Sequence, residues 1–383
     1  ETGGGFGSAA NGERLFSGST WLGLLDLESG EITFPADTDG RHFGPNLPWH
    51  FTADGKSLIL AATDSNATQL CTWDIAGGEL LEDAQPEIPH AVRNWAVSPD
   101  DRRALIGVPT EARRMFTLRG RGNEPKLVDL ATGNLLPQEL EMEGSAGPTA
   151  FSPSGSRAAA ISTMDLHSFQ QTVWDLDTYL ARVIPVRLPA GGDSPLRQPG
   201  PRGGRLRGES WNRNLAFGPD DDTILLWDHD MLIGWRLPAR KTQRPSLFSV
   251  GPAESLSYSP DGREVIAVSA PPALSFAVAQ LGARRGRFVL PPPMEIERFS
   301  TGRLRPAGPA LPVMAELAAC SPDGRTLVTA GGGKIERWDL ATMSKVGEPL
   351  EMRNLAERAA SAKRDQIRRL LMRRGLADRA ALA

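Results

Sequence analysis

A short apolar run, a turn, and a second apolar run with alternating polar positions recur along the whole chain. The turn follows a Ser-Pro-Asp-Gly pattern. Its clear copies are Ser259-Pro260-Asp261-Gly262 and Ser321-Pro322-Asp323-Gly324. Variants stand at Thr52-Ala53-Asp54-Gly55, Ser98-Pro99-Asp100-Asp101, Ser152-Pro153-Ser154-Gly155 and Gly218-Pro219-Asp220-Asp221, with a degraded copy at Ala10-Asn11-Gly12. Pro presets φ, Asp bonds to the backbone ahead of it, and Gly accepts positive φ, so each is a tight turn. The seven turns are spaced by 43, 46, 54, 66, 41 and 62 residues.

The runs after the turns predict strands at Ser57–Ala62, Arg103–Val108, Arg157–Ser162, Thr223–Trp227, Arg263–Ser269 and Thr326–Ala330. A further strand follows, often ending in Trp-Asp or an equivalent: Trp73-Asp74, Val128-Asp129, Trp174-Asp175, Trp338-Asp339 and Leu25-Asp26. Trp227-Asp228 is a decoy, because it lies six residues beyond Asp221 while Trp338 lies 14 beyond Gly324. The equivalent position is Trp235, which leaves Trp227 in the preceding strand. Fourth strands are read at Glu31–Phe34 and Arg182–Val186. Four short strands per unit, repeated seven times, predict an all-β, seven-bladed β-propeller of four-stranded antiparallel blades over residues 1–352.

Alignment on the turn adds a packing rule. Three residues before its Asp position stand Phe51, Val97, Phe151, Phe217, Tyr258 and Cys320. One residue earlier stand His50, Ala96, Ala150, Ala216, Ser257 and Ala319. Bulk on one face and a small side chain on the other is what stacked blades require. His50 breaks the rule and reads as a polar side chain at a blade interface.

Turn, strand and Trp-Asp together resemble the WD-repeat propellers, of a divergent bacterial type, over residues about 5–352. The best single copy runs from Cys320-Ser321-Pro322-Asp323-Gly324 to Trp338-Asp339-Leu340-Ala341-Thr342. The Gly-His that opens each repeat in that family is missing, and Pro89-His90 is its faint echo. The resemblance implies a non-catalytic platform that binds a protein or peptide on its loop faces.

Three long spacings imply insertions at Glu111–Glu124, Gly191–Glu209 and Pro271–Pro293. The second carries Arg197, Arg202, Arg205 and Arg207. The third ends before Ile296-Glu297-Arg298, which matches Ile335-Glu336-Arg337 and predicts a strand at 294–300. In propeller topology all three open on one face, where binding concentrates. Seven residues before the turn Asp, at the mouth of the central channel, lie Leu47, Arg93, Gly147, Arg213, Glu254 and Glu316. Arg93, Arg213, Glu254 and Glu316, with Trp211, form a candidate rim for a peptide or small polar ligand; mutual salt bridges are the plain alternative.

Residues 353–383 differ. No Gly or Pro occurs from Arg353 to Arg374, and apolar residues recur at helical spacing, which predicts a C-terminal α-helix. This segment carries nine Lys+Arg against three acids, so +6, and leaves −9 on the remainder of a chain of net charge −3. The basic tail is expected to dock on its own propeller or on a partner.

Gly 40 and Pro 31, about 19% of 383 residues, fit a turn-rich fold. Cys71 and Cys320 are too few for a disulfide framework or a zinc cluster. The five His are scattered, and no nucleophile elbow or phosphate loop occurs, so no catalytic residue, cofactor or metal is assigned. Nucleic-acid binding is not expected, because the Arg-rich insertion lacks interleaved aromatics. No stretch reads as a transmembrane span. A soluble, cytoplasmic chain is favoured, although Glu1-Thr2-Gly3 resembles the remnant of a secretion vector. The alternative function is a lactonase- or hydrolase-type propeller enzyme with a metal-assisted site at the central channel. A third is an accessory or sensor module of a larger protein.

Overall fold

In the computed structural model the described residues are 6–8, 14–17, 23–33, 49–63, 67–81, 86–92, 95–110, 122–163, 168–187, 215–228, 231–237, 246–249, 253–259, 261–269, 294–301, 305–315, 317–321 and 324–351. They are all-β, in small antiparallel sheets that follow one another along the chain. The first sheet holds β1 (Phe6–Ser8), β2 (Arg14–Ser17), β3 (Gly23–Asp26) and β4 (Ile32–Thr33). The second holds β5 (Trp49–Phe51), β6 (Ser57–Thr63), β7 (Thr68–Asp74), β8 (Glu79–Leu81) and β9 (Glu87–Ile88). The third holds β10 (Trp95–Val97), β11 (Arg103–Thr110) and β12 (Gly122–Asp129). The fourth holds β13 (Ser145–Phe151), β14 (Arg157–Thr163), β15 (Ser168–Asp175) and β16 (Ala181–Arg187).

The fifth sheet holds β17 (Leu215–Phe217), β18 (Thr223–Asp228), β19 (Met231–Arg236) and β20 (Ser246–Ser249). The sixth holds β21 (Ala253–Tyr258), β22 (Glu264–Ser269), β23 (Met294–Ser300), β24 (Arg305–Pro306) and β25 (Leu311–Val313). The last holds β26 (Leu317–Cys320), β27 (Thr326–Gly331), β28 (Lys334–Asp339) and β29 (Ser344–Glu351).

Three expectations are met closely. The strand read at 294–300 is β23. Trp227 lies on β18 and Trp235 on β19, with Ile224 opposite Trp235. The six strands read after the turns are β6, β11, β14, β18, β22 and β27. Two expectations need correction. The outer strand is not one piece in every sheet: β8 and β9 both pair with β7, and β24 and β25 both pair with β23. In the third sheet it shrinks to a single bridge, Val128 to Leu135. An outer strand bonds on one side only, so little holds its length. The first insertion is also shorter than expected, because β12 starts at Gly122 and pairs it with Thr110. The helix expected in 353–383 and the turn at 10–12 lie outside the described residues.

The turn chemistry is visible bond by bond. A hydroxyl at the first position accepts from the backbone N–H five residues on. These bonds are Ser57 to Thr52 at 3.0 Å, Arg103 to Ser98 at 2.9 Å, Arg157 to Ser152 at 3.1 Å, Glu264 to Ser259 at 2.9 Å and Thr326 to Ser321 at 2.9 Å. Gly218 has no hydroxyl, and there the Asp220 carboxylate takes over, accepting from Thr223 N–H at 2.8 Å. The Asp of each Trp-Asp closes the other turn at the same end of its sheet. Asp26, Asp129, Asp175 and Asp339 each accept from the backbone N–H and the hydroxyl three residues on. These carboxylates cap hairpins.

The chain divides into two compact units: residues 1–62, 70–85 and 313–383, and residues 63–69 with 86–312. Within each, sheets pack as the large–small rule requires. In the first unit Phe51 joins Leu24, Leu58, Leu60, Cys71 and Trp73 in one buried cluster, while Ala319 lies among Leu25, Ile32 and Val328. In the second, Ala150 meets Leu215 and Phe217, and Phe151 packs on the opposite face of its sheet against a cluster containing Leu105 and Leu127. The bulky position thus faces the preceding sheet and the small one the following sheet. No disulfide joins Cys71 to Cys320.

Candidate functional site

In an up-and-down sheet, the turn from second to third strand and the exit from the fourth strand share one end. The residues joining β11 to β12 (111–121), β16 to β17 (188–214) and β22 to β23 (270–293) therefore each leave from that end of their own sheets. These segments lie outside the described residues. Among the described residues, the opposite ends of the sheets carry short turns capped by carboxylates or hydroxyls.

Of the rim candidates, Arg93, Trp211, Arg213 and Glu316 lie outside the described residues. Glu254 is described by its backbone, on β21. It falls where the register slips: Ala253 pairs with Ser269 and Ser255 with Val268, which leaves Glu254 as the extra residue. Gly147, the equivalent residue of β13, lies in the same kind of irregularity, between Ala146 and Thr149. A bulge of this kind re-aims a side chain and increases local twist. The alignment thus marks a repeated backbone feature that sequence periodicity did not reveal.

The approach to Arg93 is tied down. Thr68 is fully buried, and its Oγ1 accepts from Val92 N–H at 2.8 Å and donates to the His90 carbonyl at 2.9 Å. Thr63 Oγ1 lies 3.0 Å from Thr68 Oγ1 and donates to the Val92 carbonyl at 2.9 Å. Both backbone groups of the residue before Arg93 are therefore fixed by hydroxyls 24 and 29 residues away in sequence. Burial lowers the pKa of His90, which favours its neutral imidazole.

Two tryptophans on the inner strands serve packing. Trp95 is buried, and Trp49 packs edge-on to Phe51 with ring centroids 5.8 Å apart. Both share a face with the bulky position of their strands, and Trp49 is half-buried. His50 is half-buried opposite Ile59.

Sequence reasoning missed Glu297. It lies on β23, beside the point where residues 270–293 join, and its carboxylate accepts from Ser269 Oγ at 3.1 Å. Burial raises its pKa, and neighbouring Glu295 adds to the rise. Its counterpart Glu336 instead pairs with exposed Lys345. The matching tripeptides located the strand but gave no sign of this difference. Among the described residues no three His, Cys, Asp or Glu side chains group as a metal site. No helix among them is long and apolar enough to cross a membrane.

No protein-family model matches the sequence, and no curated protein matches it. Solved structures do. A chain of the mitotic checkpoint complex aligns with TM-score 0.54 and 14% identity, over 88% of this chain and 86% of its own length. A chain of Kuenenia stuttgartiensis hydrazine synthase aligns at 0.53 and 11%, over 90% and 94%. The β-propeller domain of Myceliophteria thermophila Cps50 (Swd1) aligns at 0.51 and 13%, over 87% and 96%. At such identities the likeness is one of fold. The fold is an all-β, WD-repeat-like propeller.

Proposed function

We propose that this protein is a non-catalytic interaction scaffold or accessory module, a seven-bladed propeller that binds a protein or peptide on its insertion-bearing face. The observation that carries the reading is the asymmetry of the sheets. In the third, fourth and sixth sheets one end has described turns closed by their own carboxylates and hydroxyls, leaving few polar groups for a partner. The other end of the third, fourth and sixth sheets sends out segments of 11, 27 and 24 residues. Long connections on a rigid scaffold are where binding groups concentrate. The rim residues Arg93, Arg213, Glu254 and Glu316, with Trp211, belong to this end. That one of the similar structures is a chain of the mitotic checkpoint complex fits a role with protein partners.

The basic segment 353–383 starts from the insertion end of its own sheet. It follows β29, whose last residue Glu351 pairs with Lys334 beside the Gly332-Gly333 hairpin, at the insertion end of that sheet. Its +6 charge suits an acidic surface, on the propeller or on a partner.

The test is affinity capture from native extract with the full chain, compared with a chain lacking 353–383 and with one whose segment 188–214 is a short Gly-Ser link. Cross-links should map to the insertions and rim, and shortening 188–214 should weaken capture. Cross-links confined to the carboxylate-capped turns would refute the reading.

A further inference from the structure

Among the described residues, buried side-chain atoms without a hydrogen-bond partner gather in one sheet. Thr149 Oγ1, Gln170 Oε1, both amide atoms of Gln171 and Thr172 Oγ1 all belong to the fourth sheet. Thr172 and Gln171 are fully buried and Thr149 nearly so. A buried polar atom left unpaired costs a large part of its hydration free energy, so five in one small sheet require an explanation.

Register places four of these residues on two faces. Thr149 pairs with Ala160, and Ala160 with Thr172, so the two threonines share a row with an alanine between them. Gln170, two residues from Thr172, shares that face, one row nearer the insertion end, opposite Ser162. Trp174 lies on the same face, two residues to the other side. It packs with Ala158, Ala160, Leu105 and Leu127, so this face looks at the third sheet. Gln171 points the other way.

The wall opposite makes no direct hydrogen bond to the hydroxyls. Beyond the Leu105–Leu127 pair, the third sheet presents Gly107 opposite Pro125, and then Pro109 opposite Asn123, whose side chain leans over Gly107. The segment that covers this face, with Leu136, Leu140 and Met142 in the same cluster, adds another unpaired buried oxygen, Gln138 Oε1. Two strand spacings separate Thr149 from Thr172, about 10 Å, too far for a direct bond. Ala160 puts only a methyl group between the two threonines.

We infer that the seam between the third and fourth sheets binds a short file of ordered water molecules. These bridge the hydroxyls of Thr149 and Thr172 to the amide oxygens of Gln170 and Gln138. The group set selects the ligand. Two hydroxyls and two carbonyl oxygens carry no formal charge, so an ion would enter uncompensated. Water donates to the amide oxygens and both donates to and accepts from the hydroxyls, with the two to four partners that a buried water needs.

The sign of one substitution separates a wet seam from a dry one. Thr172→Val keeps shape and removes the hydroxyl. In a hydrated seam it strands a bridging water, and the folding equilibrium constant should fall about five-fold. In a dry seam it removes an unpaired group, and stability should hold or rise. Thr172→Ser keeps the hydroxyl and should retain the waters. A high-resolution crystal structure of the full chain decides directly. Density peaks within hydrogen-bond distance of Thr172 Oγ1 and Gln170 Oε1 support the inference. Their absence overturns it whatever the stability result, as does an unchanged or more stable Val variant. If the Val variant does not fold, density at the same two atoms in the Ser variant decides in its place, its presence supporting the inference and its absence overturning it.

Discussion

Arg157 Nη1 donates to Asp222 Oδ1 at 2.7 Å and to the Asp221 carbonyl at 2.8 Å. The Asp221 side chain answers by accepting from Ser154 N–H at 3.1 Å, so the turns of the fourth and fifth sheets clasp each other in both directions. Arg103, at the equivalent place in the third sheet, reaches the Gly155 carbonyl at 3.4 Å. The residue two beyond the left-handed position thus ties a sheet to the next turn along, where it is Arg.

This clasp predicts a graded loss. Arg157→Ala removes a charge-assisted bond and a bond to a backbone carbonyl. Its side chain is about a third exposed, so screening holds the cost to roughly 1 kcal/mol. Asp222→Asn, which keeps an acceptor oxygen, should cost less than half of that. Urea unfolding monitored by tryptophan fluorescence measures both. Equal costs would place the stabilisation in the ion pair alone and leave the Asp221 carbonyl without a role.

Left-handed positions give a second contrast. Gly133 has φ +72°, and a Cβ there would sit 2.5 Å from the Glu87 carbonyl oxygen. Gly133→Ala should therefore cost roughly 3 kcal/mol, from backbone strain and collision together. Met343 occupies the equivalent place in the last sheet at φ 54°. Met343→Gly should raise stability by about 0.5 kcal/mol, the gain in the folded backbone exceeding the entropy given to the unfolded chain. Thermal midpoints moving in opposite directions would bear this out.

Second and third strands were legible because both their edges are bonded and their buried faces alternate with bulk demanded by the neighbouring sheet. Ser57–Thr63 and Arg157–Thr163 follow, to within a residue, from turn position and pattern, and Met294–Ser300 from the tripeptide it shares with β28. Outer strands were not, because one free edge leaves their length to local accidents: β8 and β9 are one lane broken in two. The bulge at Glu254 left no mark either, since a single extra residue disturbs periodicity too briefly. The rim was legible only as an alignment column. Its one described member shows why the column matters: it marks a backbone irregularity, whatever side chain the repeat carries there.

The hydroxyl pair beneath Arg93 is testable through its backbone. Thr68→Val strands Val92 N–H, and should cost about 2 kcal/mol because the site is buried. Hydrogen exchange at Val92 should accelerate far more than exchange at Ile106, in the centre of the third sheet. Uniform acceleration would mean global destabilisation and would deny the pair its local positioning role.

Glu297 gives a pH dependence of definite sign. Burial raises its folded-state pKa above the usual 4.5, so between those values the folded chain holds the proton more tightly than the unfolded one. Stability is therefore greatest below pH 4.5 as far as this group is concerned, and it declines as pH rises through the window up to the folded pKa. Glu297→Gln keeps an oxygen for the Ser269 hydroxyl and removes the ionisation. At neutral pH the variant should melt higher than the parent, and the gap should close as pH falls to 4.5. The measurement is a series of thermal midpoints for both chains across the acid-to-neutral range. A gap independent of pH would show that the gain comes from packing, and a variant less stable at neutral pH would show that the charge is satisfied by a partner at the insertion end.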